Sequence, residues 1–244
     1  MNVKFGKLAV LGAALAVSAA FTAPANAQFT ITGSMWQIPA FQNVPAAGSA
    51  VYSTPASATF TLSNTAANNL FDFNSGNCAT CYNLSAFLTS GSPADVLTYM
   101  TGAGLANTPL DTPASCSTST CVTDDLFQFT GSVTLVNGVT YNFEHDDGLL
   151  LYLGGIATPV INVPGPTSAE ATPFSVCASG CNAVGGTYTF TLDYAEVDGA
   201  PAVLITNIPL TSTPTITPEP SSLMLLGTGL VSAAGMFMRK RRTA

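Results

Sequence analysis

Residues 138–155 hold the pattern that most limits how this chain can fold. Val139, Tyr141 and Phe143 alternate with Thr140, Asn142 and Glu144. Side chains two apart share one face of a strand, so this run can bury one face and wet the other. Asp146-Asp147-Gly148 then turns the chain, and Leu149–Leu153 returns. An acidic residue followed by glycine between two such runs predicts a β-hairpin. The same texture recurs in Leu126–Leu135, closed by Val136-Asn137-Gly138 as a second hairpin turn, in Gly186–Tyr194 and in Ala202–Ile208. Strands at this spacing, with turn signals between them, predict an all-β fold, an antiparallel β-sandwich or barrel.

The first half is less regular. Phe29–Ile38, Ala58–Leu62 and Tyr82–Leu88 are β-prone and are expected as strands. Pro39, Pro45, Pro55 and Pro93 favour loops and sheet edges around them. A short helical pattern is expected over Ala94–Met100, stopped by Gly102 and Gly104.

Charge is distributed in a way that excludes whole classes of function. The six basic residues are Lys4, Lys7, Arg239, Lys240, Arg241 and Arg242, all near the ends. Of thirteen acidic residues only Glu219 lies beyond Thr217, which leaves twelve between Gln28 and Thr217 with no Lys or Arg among them. This stretch can build no Lys or Arg ion pair, so its carboxylates must be solvated, hydrogen-bonded or bound to cations. It lacks the basic footprint that nucleic acid requires. Divalent cations and neutral sugars remain compatible.

The ends read as addresses. Residues 1–27 form a secretory signal: Lys4 and Lys7, the apolar run Leu8–Phe21, then Ala25-Asn26-Ala27 as a small-residue cleavage site before Gln28. Residues 28–208 are the expected β-sandwich domain, and 209–217 a Pro/Thr-rich stalk. Pro218-Glu219-Pro220 precedes an uncharged run over 221–238, about 27 Å as a helix and long enough to span a bilayer. Arg239–Arg242 would hold its far end in the cytoplasm. Six cysteines fall in three near-neighbour pairs, Cys78/Cys81, Cys116/Cys121 and Cys177/Cys181. An even count in an exported chain predicts disulfides; fifteen connectivities are possible, and local pairing is the simplest. The alternatives are a redox Cys-x-x-Cys or zinc. The first lacks a helical context, and the second needs reduced thiols outside the cytoplasm.

The three-part tail over 218–242 resembles the PEP-CTERM sorting signal of Gram-negative bacteria, with Pro218, Glu219 and Pro220 as the motif. The resemblance implies recognition by an exosortase-type membrane enzyme and cleavage near the motif. It also implies release or attachment at the cell envelope, cell surface or extracellular matrix, often together with exopolysaccharide.

The acidic turn admits two readings. Aspartates are common in turns because their carboxylates bond to nearby backbone N–H groups. Alternatively, Asp146 and Asp147 bind Ca²⁺, a hard cation that takes oxygen ligands and offsets two adjacent negative charges. Asn182, Asp193, Glu196 and Asp198 are candidates for further ligands. Asp124–Gly131, Gly138–Phe143, Asp146-Asp147-Gly148 with Leu151–Leu153, and Gly186–Tyr194 with Gly199–Ala202 together resemble the protective-antigen-type β-sandwich domain over 122–208. In sugar-binding members of that family a pair of aspartates holds Ca²⁺, which holds sugar hydroxyls; Asp146 and Asp147 match the pair. His145 invites a catalytic reading, but the sequence has no Gly-x-Ser-x-Gly elbow and no second histidine for a metal pair. A structural hydrogen-bonding role for His145 is the simpler reading. Three functions follow in order: a structural or adhesive envelope or matrix protein without enzymatic activity, a Ca²⁺-dependent carbohydrate-binding module, and a polysaccharide-acting enzyme.

Overall fold

The computed structural model describes residues 29–39, 43–64, 72–76, 83–90, 96–102, 110, 123–197, 201–211 and 229. The chain divides into two compact units, Gln28–Thr213 and the combined termini Met1–Ala27 and Pro214–Ala244. The expected signal helix, the Pro218-Glu219-Pro220 motif and, Gly229 apart, the span over 221–238 lie outside the described residues. Among the described residues no helix is long and apolar enough to cross a membrane.

The Gln28–Thr213 unit is a sandwich of two antiparallel sheets. The strands are β1 (Phe29–Pro39), β2 (Ala58–Asn64), β3 (Asp72–Asn74), β4 (Val96–Met100), β5 (Thr123–Leu135) and β6 (Thr140–Asp146). They continue with β7 (Leu149–Leu153), β8 (Ile161–Val163), β9 (Glu170–Ser175), β10 (Gly186–Glu196) and β11 (Val203–Thr206). The larger sheet has seven strands in the order β4-β2-β1-β5-β10-β7-β8; the smaller has four, β3-β11-β6-β9. One short helix, α1 (Leu84–Leu88), and a 3-10 turn at Ala50–Ser53 complete the described elements.

Two expected hairpins are not hairpins. β5 and β6 lie in different sheets, and so do β6 and β7. Both turns carry the chain from one layer to the other. Alternation fixes which side chains face inward, but it does not say which strand lies alongside. β7 carries a signal of its own. All five of its residues are buried, because it lies between β10 and β8 with the core on one face and a covered surface on the other. An unbroken apolar run is the pattern of a strand buried on both faces.

Two local expectations are also corrected. Within the expected strand Tyr82–Leu88, Leu84–Leu88 is instead α1; Asn83 caps it, its Oδ1 accepting the Ala86 amide at 2.9 Å. The helical reading of Ala94–Met100 gives way to strand β4, whose Val96, Leu97 and Tyr99 suit a sheet and pair with β2. β3, β8 and β9 were not foreseen: two are three residues long, and β9 carries Pro173.

The core between the sheets is aromatic. Phe87 of α1 meets Phe73 at 5.4 Å, Phe127 at 5.4 Å and Tyr194 at 5.8 Å between ring centroids. Two glycines make room for rings on adjacent strands. Gly33 pairs with Phe60 and Gly131 with Phe190, and a Cβ on Gly33 would lie 2.2 Å from the Phe60 ring. A second cluster covers part of the outer face of the large sheet, where Val44, Val51 and Tyr52 pack over Trp36, Leu126, Leu150, Tyr152 and Ala195. This roof is pinned by Trp36 Nε1 donating to the Thr54 carbonyl at 3.1 Å and by the Ala47 amide donating to the Tyr152 hydroxyl at 3.0 Å.

Gly33→Ala must push the Phe60 ring out of its place in the core. It is expected to destabilise the domain by about 1–3 kcal/mol, read as a lower urea midpoint with an unchanged denaturant slope.

Candidate functional site

The Asp146-Asp147-Gly148 turn lies at one end of the sandwich, and three segments converge on it. Asp147 is 1% exposed. Its Oδ1 accepts the Thr167 amide at 3.0 Å, from the β8–β9 connection, and its Oδ2 accepts the Val197 amide at 2.9 Å, just past β10. The Asp147 amide donates to the Ala195 carbonyl at 3.2 Å, and the Ala195 amide donates to the Gly148 carbonyl at 3.0 Å. Gly148 is needed for close approach: a Cβ there would lie 2.4 Å from the Pro164 carbonyl oxygen. That carbonyl in turn accepts the Val44 amide at 2.7 Å.

Histidine and tyrosine hold the turn from beneath. His145 is fully buried, with Nδ1 2.5 Å from the Asp147 carbonyl oxygen. A carbonyl only accepts, so Nδ1 carries the proton and donates. Nε2 lies 2.8 Å from Thr172 Oγ1 and 3.9 Å from the Glu170 carboxylate. The Tyr194 hydroxyl bonds to the Asp146 carbonyl and lies 2.8 Å from Glu196 Oε2; it also accepts the Val203 amide at 3.2 Å. The peptide between Asp146 and Asp147 is cis. His145 is thus a clamp on the turn rather than an exposed base.

The other candidate ligands separate. Glu196 is buried against Tyr194, near the turn. Asn182 lies at the opposite end of the small sheet, its Oδ1 accepting the Ser175 amide at 3.0 Å. Ser175 faces Thr140, six residues along β6 from Asp146 and so about 20 Å away. Asp193 faces the roofed outer surface, its Oδ1 accepting from Gln128 Nε2 at 2.9 Å. Asp198 lies outside the described residues. Among the described residues no group of three or more His, Cys, Asp or Glu side chains is placed to hold a metal. Cys177 and Cys181 form a disulfide, with Cα atoms 5.6 Å apart; Cys78, Cys81, Cys116 and Cys121 lie outside the described residues.

The sequence reading missed how Thr167 and Val197 take part. They contribute backbone amides, which no side-chain pattern reveals. It also missed the outer-face cluster of Asp193, Gln128, Tyr52 and Tyr152. Burial lifts the Asp193 carboxyl to about 6, partly offset by hydrogen bonds from Gln128 and Tyr52. Burial and the Asp193 charge push the Tyr52 phenol upward, so it stays protonated.

Residues 217–242 match the PEP-CTERM protein-sorting motif. The chain carries a PEP-CTERM sorting signal. That signal marks an exported protein of the cell surface or extracellular space. No curated protein matches the chain. Solved structures that resemble it include the PA14 sugar-binding domain of an RTX adhesin, at 15% identity and a TM-score of 0.44, over 75% of this chain and 98% of that one. The PA14 domain of the antifreeze protein MpAFP is similar at 20% identity and a TM-score of 0.40, over 80% and 88%. The A domain of epithelial adhesin 9 from Candida glabrata, solved with Galβ1-3GlcNAc, is similar at 12% identity and a TM-score of 0.36, over 79% and 95%.

Asp193 makes stability pH-dependent in a definite direction. Its pKa is higher folded, about 6, than in an unfolded chain, about 3.9. The folded state therefore holds the proton more tightly, and stability falls as pH rises from about 4 to 6. Asp193→Asn is expected to match the wild type at pH 4 and to exceed it by about 2–3 kcal/mol at pH 7, measured by urea unfolding at both pH values.

Proposed function

We propose that the protein is an adhesive or structural component of the envelope or extracellular matrix of a Gram-negative cell, delivered by an exosortase-type enzyme and associated with exopolysaccharide. The sorting motif at 217–242 carries this reading. Export exposes a sandwich with no Lys or Arg between Gln28 and Thr217, suited to neutral or cation-bridged partners and unsuited to nucleic acid. In a strain lacking the exosortase, the protein is expected to stay longer by its uncleaved tail and to remain with the inner membrane. Unchanged size and location on immunoblots of cell fractions would contradict the reading.

A second reading, favoured by the wiring of the turn, is Ca²⁺-dependent sugar binding. Asp147 holds the Thr167 and Val197 amides and so fixes the turn, with Asp146 next to it in sequence. Two adjacent carboxylates in a stretch without Lys or Arg give a cation a physical reason to bind there. Ca²⁺ takes roughly six to eight oxygens, so backbone carbonyls, water or sugar hydroxyls must complete the shell. Bound Ca²⁺ would neutralise the two carboxylates and orient sugar hydroxyls. Asp146→Ala is the informative variant, because Asp147 also holds two backbone amides. Calorimetric titration of the mature protein is expected to show saturable Ca²⁺ uptake that Asp146→Ala abolishes. Wild-type protein that takes up no Ca²⁺ would remove this reading.

A further inference from the structure

The outer face of the seven-stranded sheet is divided along its strands. Toward Leu126 and Ala195 it is apolar and roofed by residues 43–57. Toward the opposite end the outward positions carry hydroxyls. Thr61 faces Thr32, Thr32 faces Thr130, and Thr130 faces Thr191, a row of four threonines on four neighbouring strands. Ser132 with Thr189, and Thr134 with Thr187, continue the grid. Several hydroxyls are already oriented by one another: Thr32 and Thr130 at 2.7 Å, Thr134 and Thr187 at 3.0 Å, Thr134 and Thr211 at 2.7 Å.

A groove of about 390 Å³ opens over this grid, lined by Thr30, Thr32, Thr130, Ser132, Thr189 and Thr191 with backbone from Gly131 and Gly155. No charged side chain is among its lining residues. In a chain whose exported part is otherwise anionic, this is a neutral surface. A metal or a phosphate would find no charge partner here. An added peptide strand needs a free sheet edge, whereas β1 and β5 run inside the sheet. Threonine offers a hydroxyl that both donates and accepts, and a methyl group. Those are complementary to the hydroxyls and C–H faces of a sugar. Strands lie about 4.8 Å apart, comparable with the step from one sugar ring to the next in an extended chain.

We propose that this groove binds an uncharged polysaccharide lying across β1, β5 and β10, as a glycan surface separate from the acidic turn. Thr191 and Val197 are six residues apart on one strand line, so the two surfaces are about 20 Å apart. The proposal rests on the reading of the protein as exopolysaccharide-associated, and it does not require Ca²⁺.

The test is affinity electrophoresis of the mature protein through gels carrying the neutral exopolysaccharide fraction of the producing strain, with EDTA and with Ca²⁺. Retardation is expected to persist in EDTA. It is expected to weaken about tenfold in the Thr130→Val/Thr191→Val double variant, which removes two hydroxyls and keeps the side-chain shape. Thr189→Arg, at an exposed position, is a second and independent block of the groove. Retardation that EDTA abolishes and the threonine variants leave intact would overturn the groove while leaving the Ca²⁺-dependent reading. No retardation under either condition would overturn the groove and the exopolysaccharide association together. Thermal hysteresis by a wild type that the polysaccharide does not retard would assign the grid to ice and overturn the proposal.

Discussion

The buried carboxylate of Asp147 is the contact on which one end of this sandwich depends. It binds two amides, one from the β8–β9 connection and one from the end of β10, while its own carbonyl accepts from His145. A carboxyl group this deeply buried is costly unless its polar atoms are hydrogen-bonded. Intramolecular hydrogen bonds contribute about 0.5–1.5 kcal/mol each, net. The same two bonds that offset the burial also fix the positions of segments far apart in sequence. Any function at this end inherits that rigidity, since the turn presents Asp146 from a frame held on three sides.

The remaining buried acids are handled by the same limited chemistry. Asp124, Asp125, Asp193 and Glu196 are all buried, in a stretch without Lys or Arg. Glu196 lies in reach of a tyrosine hydroxyl, and Asp193 takes an amide N–H from Gln128. For Asp193 burial outweighs these bonds, and the proton is retained to a pH near 6. A chain that excludes basic side chains from its fold thus uses amides, hydroxyls and protons where other proteins use ion pairs.

Fold class was legible because period-2 alternation in residues 126–144 and 186–194 is independent of tertiary context. Sheet membership was not, since turn chemistry at Asn137-Gly138 and Asp147-Gly148 reports a change of direction and says nothing about pairing. The expected strand at Tyr82–Leu88 failed because Asn83 caps a helix, a signal present in the sequence but outweighed there by β-prone neighbours. The expected helix at Ala94–Met100 failed in the other direction, through the β-forming run Val96–Tyr99. At the candidate site the two aspartates stood out, yet their partners are main-chain groups of Thr167 and Val197, and no residue type announces those. Asn182 and Asp193 were plausible ligands by chemistry. Register and face place them elsewhere: Asn182 beside Ser175, Asp193 beneath the Tyr52 roof.

Amide hydrogen exchange at Thr167 and Val197 tests the central claim most directly. If the Asp147 carboxylate ties these segments together, both amides exchange slowly in the wild-type protein. In Asp147→Ala both lose protection, while amides in the middle of β5 and β10 keep theirs. Fast exchange at either amide in the wild type, or protection unchanged by Asp147→Ala, would contradict it.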